Sequence, residues 1–167
     1  DYCMVHESVA NEFIKACKSA LKNMFGADAS QSDYFGRLIN DRAWLRVKGL
    51  VDDAQAFVTY GGDYERESKY VEPTLIDFKT DYNAFKNSEV MGQEIFGPLL
   101  PIFRYSNLDV AINHINAGEK PLVAHVFTSN SRVRKRVLRE TSSGAACVND
   151  AILHMTNHEL PFGGVGN

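Results

Sequence analysis

The chain predicts an α/β fold, a parallel sheet with βαβ crossovers, and three observations carry that reading. Strand-like apolar runs recur along its second half, at "LLPIFRY" (99–105), "LVAHVFT" (122–128) and "GAACVN" (144–149). Between them lie segments of helical periodicity about ten residues long, the length of crossover helices. Glycine, asparagine and proline stand at the joints, where caps and turns need them. Strands that alternate with helices in this way pair in parallel, with right-handed connections.

The elements follow in order. Val9, Phe13, Cys17, Ala20, Leu21 and Met24 recur at three- and four-residue steps, so a helix is expected from Val5 to Met24, ended by Gly26 in a left-handed C-cap. Asn40 or Asp41 caps a second helix whose buried face carries Trp44, Val47 and Val51. Gly61 and Gly62 mark a turn after the strand-like "AFVTY" (56–60). "KYVEPTLIDF" (69–78) reads as a strand. Pro73 demands an edge position or an irregular lead-in there, because proline donates no ladder hydrogen bond. After the strand at 99–105, Asn107 caps a helix through "LDVAINHIN" that Gly118 ends, and the strand at 122–128 follows. A basic helix and the strand at 144–149 complete the pattern.

Length and composition exclude several classes. At 167 residues and 44% hydrophobic, the chain is sized for one globular domain with a substantial core. Its net charge of −3, from 18 basic and 21 acidic residues interspersed, argues against a nucleic-acid partner. The basic run "RVRKRVLR" (132–139) is broken by Val133, Val137 and Leu138 at helical spacing, as on the solvated face of an amphipathic helix. No apolar run approaches the ~20 residues that span a bilayer, and no signal-peptide pattern opens the chain. A cytoplasmic location is expected, with any membrane anchor outside these residues. Cys3, Cys17 and Cys147 are odd in number and widely spaced, which indicates no disulfide framework and no metal site. The chain starts at Asp1 and stops inside the glycine-rich "PFGGVGN", as a fragment of a longer protein would.

Familiar chemistry is scarce. No G-x-G-x-x-G follows a strand, and neither a phosphate-binding P-loop nor a G-x-S-x-G elbow is present. Ligand sites gather at the carboxyl ends of parallel strands, where Asn149 and Asp150 fall; the residues alone favour a turn-capping role for both. His125 alternates with Val123 and Ala124 and is expected as a hydrogen-bonded core histidine, whereas His154 and His158 follow in a loop and are better site candidates. In "GQEIFGPLLP" (92–101), Glu94 reads by itself as an exposed acid before a turn.

Three stretches together change that reading. "QEIFGPLLPI" (93–102), "VND" followed by "HMT" (148–156) and "LPFGGVG" (160–166) resemble, in order and spacing, the C-terminal half of aldehyde dehydrogenases. "KPLVAHVFT" and "TSSGAACVND" look most like the class 3 and fatty-aldehyde branch. The resemblance implies NAD- or NADP-dependent oxidation of an aldehyde to a carboxylic acid through a cysteine thioester, and a fold of the aldehyde dehydrogenase catalytic-domain type. Residues 1–167 would form the C-terminal part of that domain, without the N-terminal cofactor-binding domain.

In that branch the nucleophile precedes "A-P-D-Y", whose end resembles Asp1 and Tyr2, so the cysteine, the glutamate base and the oxyanion-hole asparagine are expected upstream. Cys3 stands on the wrong side of that motif and is rejected as the nucleophile. Carried over by position, Glu94 accepts hydrogen bonds from the hydroxyls of the nicotinamide-side ribose, and Phe96 packs against the same ribose and nicotinamide. Asn149 orders backbone near the catalytic centre. Phe162 lines the aldehyde tunnel, and Gly163 and Gly164 let their loop pass close to it. The segment 152–160, with His154, shapes the substrate pocket, and its Leu153 and Met155 suit an apolar aldehyde and ordinary packing equally well. Many members carry two acids before "IFGP", whereas this chain has Gln93 before Glu94, a difference expected to matter little. The rest of the same chain and a homodimer are the implied partners. Two rival expectations are a truncated non-catalytic partner and an acylating, coenzyme A-dependent enzyme.

Overall fold

In the computed structural model, Cys3–His6 form β1 and Glu7–Phe25 form α1. Residues 1–160, 164 and 165 are described, in two units, Asp1–Ser106 and Asn107–Asn167. The His6 imidazole Nδ1 accepts the Ser8 N–H and caps α1. Gly26 ends it at φ 85°, its N–H donating to Lys22 O at 2.9 Å. The side packed on the sheet carries Ala10, Phe13, Ile14 and Cys17, with Ala10 and Ile14 buried and Phe13 and Cys17 half-buried, as expected for the last two. Val9 and Met24, expected on that face, are exposed.

Asp41–Asp53 form α2, capped by the Asn40 side chain accepting from Ala43 N–H at 2.8 Å. Trp44, Val47, Leu50 and Val51 make its buried stripe, as the sequence predicts with Leu50 added. The indole Nε1 of Trp44 donates to Tyr70 O at 2.9 Å, which ties the helix to the strand beneath.

The remaining elements of this unit are β2 (Val58–Tyr60), β3 (Tyr64–Glu65), β4 (Tyr70–Val71), β5 (Thr74–Asp77), α3 (Tyr82–Asn87) and β6 (Leu99–Tyr105). The main sheet has the order β1-β6-β5-β2, with β6 parallel to both β1 and β5. Only its last strand, β2, runs antiparallel to its neighbour, and β3 with β4 forms a separate antiparallel pair. The helix α3 lies between β5 and β6 in sequence, as in a βαβ crossover.

The expected strand at 69–78 is two strands, broken at Glu72 and Pro73. Proline cannot donate, so the ladder starts at Thr74, whose N–H bonds Pro98 O at 2.9 Å, and β5 then runs through the sheet interior rather than along an edge. Gly61 approaches this junction so closely that a Cβ on it would stand 2.3 Å from Pro73 O, at a φ of 76°.

Asp77 at the end of β5 is 5% exposed and meets Arg104 of β6 through both carboxylate oxygens, at 3.0 and 2.5 Å. The same guanidinium reaches Asn11 of α1 at 2.8 Å. Two strands and a helix therefore share one fork, and removing either charge would strand the other in the interior at a cost of about 3–5 kcal/mol. Rings of Phe78, Phe85 and Phe103 fill the core on the α2 side, with Phe85 and Phe103 stacked at 5.2 Å.

The second unit holds α4 (Leu108–Ala117), β7 (Val123–Val126), α5 (Ser131–Glu140) and β8 (Ala145–Val148). Parallel pairing of β7 with β8 around α5 is the predicted βαβ arrangement. Asn107 and Asn130 cap the two helices by accepting N–H bonds at 2.9 Å. The basic run is α5, with Val133 and Val137 turned inward and its cations exposed; Arg136 joins Asp109 of α4 and Glu140. Among the described residues, no helix is long and apolar enough to cross a membrane.

Candidate functional site

In the first unit the "QEIFGP" loop is built around one buried side chain. Ile95 is sunk in the core while Glu94 and Phe96, on either side, face outward. A carboxylate of α2 fixes the approach: Asp53 accepts from Ser88 Oγ at 2.8 Å and from Glu89 N–H at 3.0 Å, at the start of the 3₁₀ turn Glu89–Met91.

Phe96 is 76% exposed and has φ 43°, a left-handed conformation that a bulky side chain adopts at a cost of roughly 1–2 kcal/mol. Neighbouring structure overrides that preference. Arg46 of α2 donates from Nη1 to Glu94 O at 3.0 Å and to Gln93 Oε1 at 3.2 Å, and from Nη2 to Ile95 O at 2.6 Å. Gly97 sits so close to α2 that a Cβ would stand 2.9 Å from Val47 Cγ2, and Pro98 O receives the Thr74 N–H. The loop is thus pinned between α2 and the start of β5. Gln93 supplies one of the acceptors through its side-chain oxygen, a contact that a glutamate in its place would also make. Among the described residues, the Glu94 carboxylate engages no donor; only its backbone carbonyl is held.

Sequence reading did not find Arg46. It lies 47 to 49 residues from its acceptors, and its only local signal is an arginine beside the apolar stripe of a helix.

In the second unit Asn149 follows β8 at φ 57°. Its N–H continues the ladder to Val126 O at 2.9 Å, its Oδ1 accepts Thr128 N–H at 2.7 Å, and its Nδ2 donates to Thr128 O at 3.1 Å. Both ends of the amide are spent on the backbone that leaves β7. Asp150 accepts from Ala151 N–H at 2.7 Å. These are the turn-capping roles that the residue types favour.

His154 lies in the 3₁₀ turn Leu153–Thr156, entered through Ile152 at φ 70°. Its ring meets that of His125 edge to face at 5.6 Å, and its Nδ1 is buried without a partner among the described residues. His125, expected in the core, is exposed instead. Alternation explains the outcome: in β7 the neighbouring Val126 takes the buried face, so His125 takes the open one beside His154. Ile152, Leu153, Met155 and Leu160 expose a further apolar surface. Gly164 is exposed, with open space where a Cβ would be. Phe162 and Gly163 lie outside the described residues.

Two of the three thiols are in environments that oppose ionisation. Burial, then the adjacent Cys17, pushes the Cys3 thiol up to about 11, and burial also raises Cys17. Cys147 lies in β8, in register with His125.

The aldehyde dehydrogenase family model matches residues 1–167. The chain belongs to the aldehyde dehydrogenase family. A dimeric, NADP-preferring aldehyde dehydrogenase of Rattus norvegicus is 44% identical over 167 residues, all of this chain and 35% of the relative. Aldehyde dehydrogenase family 3 member A2 of Mus musculus is 40% identical over 166 residues, 99% of this chain and 33% of that one. These relatives agree with the class 3 resemblance. Among solved structures, the substrate-bound state of Staphylococcus aureus AldH superposes with a TM-score of 0.92 at 39% identity, covering 99% of this chain and 35% of that one. This aldehyde dehydrogenase chain therefore spans about a third of the length of these relatives and is a fragment by comparison with them.

Proposed function

We propose that the chain is the C-terminal part of the catalytic domain of an NAD(P)-dependent aldehyde dehydrogenase, with the cofactor-binding domain, nucleophilic cysteine and glutamate base outside residues 1–167. The enzyme oxidises an aldehyde to a carboxylic acid. The single observation that carries the reading is the pinned loop that leaves Glu94 and Phe96 facing outward. The Glu94 carboxylate, with no donor on it among the described residues, suits two vicinal ribose hydroxyls, and Phe96 offers an exposed ring face beside it. The dinucleotide, when bound, supplies the hydride acceptor.

On the substrate side, Asn149 holds the backbone at the ends of β7 and β8, and His154, Phe162, Gly163 and Gly164 belong to the segment that shapes the aldehyde pocket. Exposed Leu153 and Met155 favour an apolar aldehyde. The full-length enzyme is a homodimer, as the name of the rat relative suggests for that protein, and it uses NAD or NADP. The three cysteines, all unpaired, fit a reducing, cytoplasmic setting. The relatives compared are described as aldehyde dehydrogenases, and nothing in them favours a non-catalytic or an acylating chain.

The test is Glu94→Gln in the full-length enzyme. A neutral amide is a weaker acceptor, so kcat/KM for the dinucleotide should fall about tenfold with the aldehyde KM unmoved. Unchanged cofactor kinetics would return Glu94 to the solvated surface.

A further inference from the structure

The cofactor loop carries a conformational cost that its own residues do not offset. Phe96 is held at positive φ with its ring largely exposed, and among the described residues no ring contact fixes its backbone. The constraint comes from the carbonyls of the two preceding residues, both bound by one guanidinium. That guanidinium stands on rigid ground. It projects from α2, which is capped by Asn40, anchored through Trp44 to Tyr70, and buried along Val47, Leu50 and Val51.

We propose that Arg46 is a positioning residue that sets the pose in which Glu94 and Phe96 meet the dinucleotide. The inference rests on the ribose-binding reading of the loop. In this role Arg46 acts through the Gln93–Ile95 acceptors. A planar fork is required, because two parallel donors must bridge the successive carbonyls of Glu94 and Ile95 while a third bond reaches Gln93. Lysine offers one compact ammonium on a flexible stem and cannot span both carbonyls with fixed geometry. Without the fork, Ile95 and the contact of Gly97 with Val47 still seat the loop, so the fold survives. Phe96 is then free to leave the left-handed region, and the Glu94 carboxylate moves with it.

The test is a double-mutant cycle in the full-length enzyme with Arg46→Ala, Arg46→Lys, Glu94→Gln and the Arg46→Ala/Glu94→Gln pair. Arg46→Ala should lower kcat/KM for the dinucleotide by about ten- to a hundredfold, through both a raised cofactor KM and a reduced kcat, with aldehyde KM and Tm little changed. Arg46→Lys should recover only part of the loss. Because both residues act through one contact, the double variant should be little worse than the poorer single variant. If Arg46→Ala is silent while Glu94→Gln is impaired, the positioning role falls and the cofactor reading stands. Additive losses, or a loss shared equally by the aldehyde KM, also overturn the positioning role. If Glu94→Gln is itself silent, the cofactor reading fails, and the inference built on it fails too.

Discussion

The Cys3 thiol shows how placement decides the chemistry of one residue. It lies in β1, where burial and the neighbouring Cys17 push it up to about 11 from an ordinary 9.0. A folded value raised above the unfolded one means that the fold keeps a proton the unfolded chain would release. Its contribution to stability is therefore complete below 9.0 and is lost as pH rises towards about 11. Alkylation by iodoacetamide should be slow at neutral pH and accelerate across that window, as thermal stability falls. Rapid labelling of Cys3 at neutral pH would restore it as a candidate nucleophile. Glu94 and Phe96 were legible as residues because their motif is contiguous. Arg46 was not, since nothing within its own helix signals which distant carbonyls it will meet.

Caps and turns set most element boundaries here, and these are local chemistry. Asn40, Asn107 and Asn130 cap the helices that follow them, and Pro73 breaks the strand in which it stands. What local chemistry does not contain is the face each element turns to a neighbour. The packed side of α1 keeps the expected Phe13 and Cys17 but is centred on Ala10 and Ile14 rather than on Val9 and Met24, and His125 is on the open side of β7. Asn149 joins both levels: its side chain makes a turn-like cap, but the backbone it caps, at Thr128 just past β7, lies 21 residues earlier. Asn149→Ala removes two hydrogen bonds and leaves a left-handed alanine, a loss of about 2 kcal/mol for this pair of strand ends. Hydrogen exchange at the Thr128 amide should quicken accordingly. Unchanged protection there would mean that the strand ends are held by other contacts.

For the molecule as a whole, family and fold agree, while the relatives it matches are about three times longer. The isolated 167-residue chain, given an apolar aldehyde and either dinucleotide, should produce no reduced cofactor by absorbance. Turnover would place the nucleophile within residues 1–167 and overturn its assignment elsewhere. By itself the sequence determined the α/β order, the helix caps and the family, because periodicity, capping and contiguous motifs act over a few residues. Only the tertiary structure decided that β5 is interior, that His125 meets His154, and that Arg46 holds the strained loop of Glu94 and Phe96. Those outcomes depend on groups brought together across tens of residues, where the hydrogen bond or the packed face exists only after the chain has folded.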